Sequence, residues 1–316
     1  MLYANSFPYL AGFNPSGFIR VLMSLAAPLF IFLSGASSVL RANDIKKNLL
    51  GSFSVIITAS LIDAFIWGTS PFYSFDVLYV IGIGGLINIF TKNNSKIILF
   101  LSLLCFVIGF FIPFLIPYEL ELKELTIADI SDYNLLEASK NLLSKGWFPI
   151  FPWLAFAFLG KYYALNKEII NKLLFRFKWT VLPLTVLLFY INTQSIKQPF
   201  RDGYIEIFYP PNSTYLLLAL AWILTLIPLT IYFCKTFKNK YLLYIGQCSL
   251  IVYILHAILN SYFFSQTSDK YSEFHYFLIF MSLFIIFTLF SRFLIFLRNY
   301  NIIKKCPYLI RKITGL

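Results

Sequence analysis

Arg20, Asp63, Asp76 and His256 are ionisable side chains set inside, or at the mouths of, long apolar runs. A carboxylate or imidazole in such a place can take a proton from a hydroxyl or amine, and an arginine can orient a substrate or a carboxylate. A charge within a membrane span is costly and as a rule faces a cavity or a partner rather than lipid. Arg20 is expected at the outer end of the first run, and Asp63 one turn before Trp67 near the outer end of the second. Asp76 opens the third, just across the short loop Gly68–Phe75, so the three charges are expected at about one depth. They read as a site that orients a hydroxyl or relays a proton. A structural Arg–carboxylate pair, or charges reaching the headgroups, fits the same spacing. His256 stands several turns into its own run. Its imidazole suits general-base catalysis near neutral pH, or, kept neutral, a bond to a backbone carbonyl that ties helices together.

The elements that must position these groups are apolar rods. A bilayer-crossing helix needs roughly 20 mostly apolar residues. Runs of about that length recur at Phe18–Leu40, Asn48–Trp67, Asp76–Phe90, Ile97–Pro117, Trp147–Leu165, Trp179–Asn192, Thr214–Cys234, Tyr241–Phe264 and Phe274–Phe296. The third and sixth are short. The chain is therefore predicted to be all-α, a polytopic bundle of about nine transmembrane helices. Basic residues fill alternate loops: Arg41, Lys46 and Lys47; Lys92 and Lys96; Lys167, Lys172, Arg176 and Lys178; Lys235, Lys238 and Lys240; and Arg298, Lys304, Lys305, Arg311 and Lys312. The other loops hold most of the acids and only Lys123, Lys140, Lys145, Lys197, Arg201 and Lys270. Positive charge marks the cytoplasmic side, which puts the C-terminus in the cytoplasm and the N-terminus outside.

Composition removes other classes. Apolar residues make up 59% and charged ones 13%, with 36 Phe and 21 Tyr. A soluble domain carries about 25% charged residues. No linker or internal repeat divides the chain, so residues 1–316 read as one membrane domain. The net charge of +12 would suit nucleic acid, but the positive residues lie between spans, where cytoplasmic anchoring accounts for them and no nucleic-acid partner is expected. Cys105, Cys234, Cys248 and Cys306 show neither paired nor zinc-ligand spacing, so no disulfide framework and no metal is expected. Residues 1–16 read as an ordered loop rather than a cleavable leader. Part of the long outer loop Tyr118–Gly146 is predicted to form a short surface helix. The small residues Ser34–Ser38, and Gly82, Gly84 and Gly85, are suited to close backbone packing. Trp147–Trp153 reads as an interfacial aromatic belt, or as a stacking surface for a sugar ring.

Four ordered stretches carry a resemblance: Leu25–Ser37 (LAAPLFIFLSGAS), Ser74–Ile83 (SFDVLYVIGI), Phe148–Gly160 (FPIFPWLAFAFLG) and Tyr244–His256 (YIGQCSLIVYILH). Together they resemble the multi-span acyltransferases related to heparan-alpha-glucosaminide N-acetyltransferase and the broader acyltransferase-3 group. The resemblance implies transfer of an acetyl or short acyl group from cytoplasmic acyl-CoA, acetyl-CoA included, to an extracytoplasmic sugar or glycan. It makes His256, Asp76 and Asp63 the proton-handling candidates, with Arg20 orienting a substrate or carboxylate. Arg41, Lys46, Lys161 and Gln247, expected at inner ends of spans, are placed to meet CoA phosphates, or to act as plain inside anchors.

Two departures stand out. Relatives begin with a helix bearing an Arg-Gly pair and a histidine base, whereas this chain opens in the loop that would follow it. An inactive chain is the expectation if that helix is missing. Second, the histidine that relatives carry after Val-Leu is Tyr79 here. A transporter or exporter of glycan or lipid-linked substrate, and a non-catalytic subunit, are the rival readings. The expected setting is an integral protein of a bacterial inner membrane, in contact with lipid, with homo-oligomerisation left open.

Overall fold

The computed structural model describes residues 2–40, 44–91, 93–118, 124–195, 207–208, 211–236 and 240–297. In chain order its α-helices are α1 (Leu2–Leu10), α2 (Gly17–Ser24), α3 (Ala26–Leu40), α4 (Ile45–Ile62), α5 (Val77–Phe90), α6 (Ser95–Leu115) and α7 (Leu135–Lys140). There follow α8 (Ile150–Leu165), α9 (Lys167–Ser195), α10 (Ser213–Thr236), α11 (Lys240–Gln247), α12 (Ser249–Ile258) and α13 (Glu273–Leu297). Wider π-helical turns continue α4 at Asp63–Trp67, α7 at Asn141–Lys145 and α12 at Leu259–Phe263.

Six helical segments among the described residues are long and apolar enough to cross a membrane, and a seventh results if the bent pair Leu135–Lys145 and Ile150–Leu165 forms one span. The protein is thus an all-α, polytopic membrane bundle. The expected third span is α5, a helix of only 14 residues. The expected eighth is divided at Cys248 into α11 and α12. The sixth is longer than its apolar run, because α9 begins at Lys167 and carries its basic residues on the helix itself.

The chain divides into two units, one of Gly17–Asp202 with Glu206–Thr230, the other of Met1–Ser16, Gly203–Ile205 and Ile231–Leu316. In the first, α4 and α5 form an antiparallel hairpin. Ser60 and Asp63 meet Tyr79 near the turn, Ile56 packs on Gly82, and Ser52 packs on Gly85 farther along. Asn94 caps α6 and Asp44 caps α4, each accepting backbone N–H groups of the first turn.

Helices α3 and α8 meet main chain to main chain. A Cβ added at Gly35 would fall on the carbonyl oxygen of Ala157, and one added at Gly160 on that of Phe32. Small residues allow this approach, which in lipid replaces the missing hydrophobic drive with van der Waals packing. Helix α6 closes on the far side of α8, where Ser102 Oγ donates to Ala155 O at 3.0 Å. Polar side chains also join α9 to α10, through Thr185 and Thr225 at 2.8 Å and Asn192 to Thr214 O at 3.2 Å.

In the second unit the opening residues are helical rather than the loop expected from sequence. Lys270 Nζ donates to Pro8 O and Tyr9 O at 2.9 and 2.7 Å, satisfying the last carbonyls of α1. Ser6 and Tyr276 hydroxyls meet at 2.7 Å, fixing α1 against α13.

Candidate functional site

Asp63 is 2% exposed and Tyr79 fully buried. The Tyr79 hydroxyl donates to Asp63 Oδ2 at 2.6 Å, within the range of charge-assisted O–H···O bonds. Among the described residues Tyr79 is the one hydrogen-bond partner of the Asp63 side chain. The phenol oxygen in turn accepts from Phe72 N at 3.2 Å, and Ser60 Oγ lies 3.4 Å away. Asp63 opens the π-helical turn Asp63–Trp67. Such widened turns inside helices occur frequently at functional sites.

Backbone strain sets this geometry. Gly68, Phe72 and Phe75 have φ of 68°, 61° and 55°. For bulky residues such as the two phenylalanines, the left-handed region costs on the order of 1–3 kcal/mol each and persists only when neighbours hold it. The neighbours are visible. Ser70 N donates to Leu125 O at 2.7 Å, Trp147 N to Ser74 O at 2.9 Å, and Phe148 N to Phe75 O at 2.8 Å. Asn141 Nδ2 donates to Tyr73 O at 2.9 Å. The stretch 124–148 therefore acts as a clamp on the α4–α5 turn. The surface helix predicted there is α7; its Glu137 is held by Lys140 and by Lys145, the latter at 3.6 Å.

Asp76 is the N-cap of α5 and accepts from Val77 N at 2.6 Å. Asp63 and Asp76 thus both flank the α4–α5 turn, while Arg20, the third charge expected with them, stands on α2. Arg20 lies half-buried in α2, one turn before the α2–α3 junction. That junction is fixed by Ser24, whose Oγ accepts from Ile207 N and whose carbonyl accepts the Tyr215 hydroxyl, both at 2.8 Å.

Trp153 departs from the expected interfacial belt. The break at Phe151 (φ −104°, ψ 125°) puts Trp153 in the first regular turn of α8, where it is fully buried. Its ring centroid lies 5.0 Å from Phe148, 5.5 Å from Phe208, 6.2 Å from Phe156 and 6.3 Å from Tyr215. Among the described residues its Nε1 has no hydrogen-bond partner. Trp147 is the polar member of the pair, donating through Nε1 to Glu124 Oε1 at 2.9 Å.

At the opposite end of the hairpin, Lys161 is 3% exposed. Its ammonium donates to Asn88 O at 2.6 Å and Thr91 Oγ1 at 3.0 Å, so it completes the C-terminus of α5. Lys46 is exposed in the first turn of α4, at the same end. Lys46 and Lys161 are thus brought together by the hairpin as far as the end they occupy. Arg41, Lys92, Lys123, Lys197, Arg201, Lys238, Arg298, Lys304, Lys305, Arg311, Lys312 and Cys306 lie outside the described residues.

His256 belongs to the other unit. It is 3% exposed in α12 and packs edge-on against Tyr253, ring centroids 4.7 Å apart. Asn260, one turn later and fully buried, has neither amide atom hydrogen-bonded among the described residues. Gln247 ends α11 and is exposed. Among the described residues no group of three or more His, Cys, Asp or Glu side chains is placed to hold a metal ion.

Sequence reasoning placed Asp63 and Asp76 but passed over Tyr79 as a working partner, and did not single out Trp153, Asn88 or Asn260. The usable signal for Tyr79 was its place one helical turn after the N-cap Asp76, facing the turn that holds Asp63.

A family model described as heparan-alpha-glucosaminide N-acetyltransferase, catalytic, matches residues 2–168, just over half of the 316-residue chain. The matched stretch contains Arg20, Lys46, Asp63, Asp76, Tyr79, Trp153 and Lys161, whereas Gln247 and His256 lie beyond it. No curated protein and no solved structure matches the chain.

Proposed function

Because the chain belongs to the heparan-alpha-glucosaminide N-acetyltransferase catalytic family, we propose that it moves an acetyl or other short acyl group from cytoplasmic acyl-CoA to a hydroxyl or amine of an extracytoplasmic glycan. The observation that carries this reading is the buried Asp63–Tyr79 pair within the matched stretch. A buried carboxylate held by one phenol is suited to accept a proton and return it.

In this scheme Asp63 takes the proton of the acceptor as its oxygen or nitrogen attacks the thioester. Tyr79 holds Oδ2 in place, and Phe72 N–H holds Tyr79. Asp76 and Arg20 orient the acceptor at the same end. Lys46 and Lys161 meet the CoA phosphates at the inner side, the role expected from sequence for Arg41 and Gln247 as well. His256, in the other unit, stands as a separate proton-handling candidate.

The remaining features follow the charge pattern. The whole chain, 1–316, is taken as one acyltransferase-like domain of about nine spans, its N-terminus outside and its C-terminus cytoplasmic, in a bacterial inner membrane. Self-association is compatible with this arrangement. Purified full-length protein, incubated with labelled acetyl-CoA and cell-envelope glycans, is expected to release thiol and to label the glycan. Absence of both acyl-CoA binding and thiol release removes the proposal.

A further inference from the structure

We infer that the indole N–H of Trp153 is the hydrogen-bond donor for the carbonyl oxygen of the transferred acyl group, an inference that rests on the acyl-transfer reading above. A buried indole N–H usually finds an acceptor. Leaving one without costs on the order of 1–3 kcal/mol, so an unspent buried donor calls for an explanation, catalysis among them. Trp153 is such a donor: fully buried, with no partner at Nε1 among the described residues.

Packing does not demand the nitrogen. Phe148, Phe156 and Phe208 offer the indole only ring faces and edges, and the Tyr215 hydroxyl, which donates to Ser24 O at 2.8 Å, does not accept from it. A phenylalanine would serve that cluster without an unpaired polar atom. The donor is also joined to the proposed base by a short path. Tyr79, bonded to Asp63, has its ring 5.4 Å from Phe75. Phe75 O accepts from Phe148 N at 2.8 Å, and the Phe148 ring stands 5.0 Å from Trp153. A proton acceptor and an unused donor are thus linked through one backbone pair, Phe75 and Phe148.

Acyl transfer requires both. As the acceptor oxygen or nitrogen bonds to the thioester carbon, its proton passes to Asp63 and the carbonyl electron pair moves onto oxygen. The Trp153 N–H holds that oxyanion, which requires the ring of Phe148 or Phe208 to turn aside when the thioester is seated. The pair then returns, the C=O bond re-forms and the C–S bond breaks. The departing thiolate takes the proton back from Asp63 and leaves as the CoA thiol.

The test uses the purified full chain and acetyl-CoA carrying carbon-13 at the thioester carbonyl, followed by infrared difference spectroscopy and by thiol release. In the natural sequence the bound carbonyl band is expected below the frequency of free thioester. Trp153→Phe should return it to the free position and lower kcat on the order of 100-fold, with KM changed by about threefold or less. Trp153→benzothienylalanine keeps the bicyclic ring and exchanges N–H for sulfur, so the same losses there belong to the N–H rather than to ring volume. Retained kcat and an unchanged band shift in that variant overturn the inference, leaving the N–H resting on a ring face. A bound but unshifted band in the unaltered protein overturns it too, while acyl transfer stands. If no bound thioester band is seen at all, the acyl-CoA reading fails and the role of Trp153 goes with it.

Discussion

Tyr79 reaches back 16 residues across the α4–α5 turn to place its hydroxyl 2.6 Å from Oδ2 of Asp63. The bond closes the hairpin where its backbone is most strained, between a π-helical turn on one side and two left-handed phenylalanines on the other. The Phe72 N–H that this strain aims at the phenol polarises the same hydroxyl that orients the carboxylate. Local distortion and the candidate chemistry are therefore one arrangement.

Replacing Asp63 by Asn keeps an oxygen able to accept from Tyr79 and removes the proton acceptor. Thiol release from acyl-CoA should fall by about 10²–10⁴-fold, with the thermal unfolding midpoint little changed. His256→Gln, measured alongside, should lose about tenfold or less if the proton is carried by Asp63.

Tyr79→Phe leaves Phe72 N–H and Asp63 Oδ2 without their shared partner. The loss expected is about 1–3 kcal/mol of stability, read from thermal unfolding in detergent or nanodiscs. Tyr79→His restores a donor and should recover most of both stability and activity. Equal behaviour of the two variants would mean that the hydroxyl only fills space.

Lys161→Met keeps an unbranched side chain one atom shorter and removes its charge. If Lys161 also meets a CoA phosphate, KM for acyl-CoA should rise about tenfold with kcat nearly unchanged. Lys46→Met, at an exposed position where solvent screens the charge, should raise KM less, by about threefold. A Lys161→Met protein that melts lower but binds acyl-CoA normally would confine the residue to completing α5.

The charge pattern also sets an orientation. In a background without the native cysteines, Ser131→Cys should react with a membrane-impermeant maleimide in intact cells. Lys172→Cys should react only after permeabilisation. Both side chains are exposed, so labelling reports compartment rather than burial. Reaction of both in intact cells would reverse the topology.

Much of the bundle was legible because hydrocarbon demands long apolar runs: α4, α6, α10 and α13 begin and end within a few residues of them. Helix α9 was less so, since Lys167, Lys172, Arg176 and Lys178 hide its first turns from any reading based on apolarity, while helical hydrogen bonding is indifferent to it. The division at Cys248 falls at Gly246, Gln247 and Ser249, a small polar interruption too short to outweigh the apolar run on either side of it. The small residues around Gly35 were read as packing residues, and they do pack. The Asp63–Tyr79 bond was out of reach. It depends on left-handed conformations at Phe72 and Phe75 that side-chain type disfavours and that only the clamp from residues 124–148 enforces. Trp153 was visible as an aromatic, but an unspent N–H is a property of its surroundings, not of its letter.

The carbonyl-to-glycine seam of α3 and α8 has a mechanical outcome. With no side chains between them at Gly35 and Gly160, the two helices cannot slip along one another without carbonyl oxygens riding over α-carbons. They behave as a single beam, and interlocked backbone of this kind resists gradual deformation. Whatever yields to admit a bulky donor must therefore be a lighter part of the assembly, such as aromatic rings or the tethered turn above the beam.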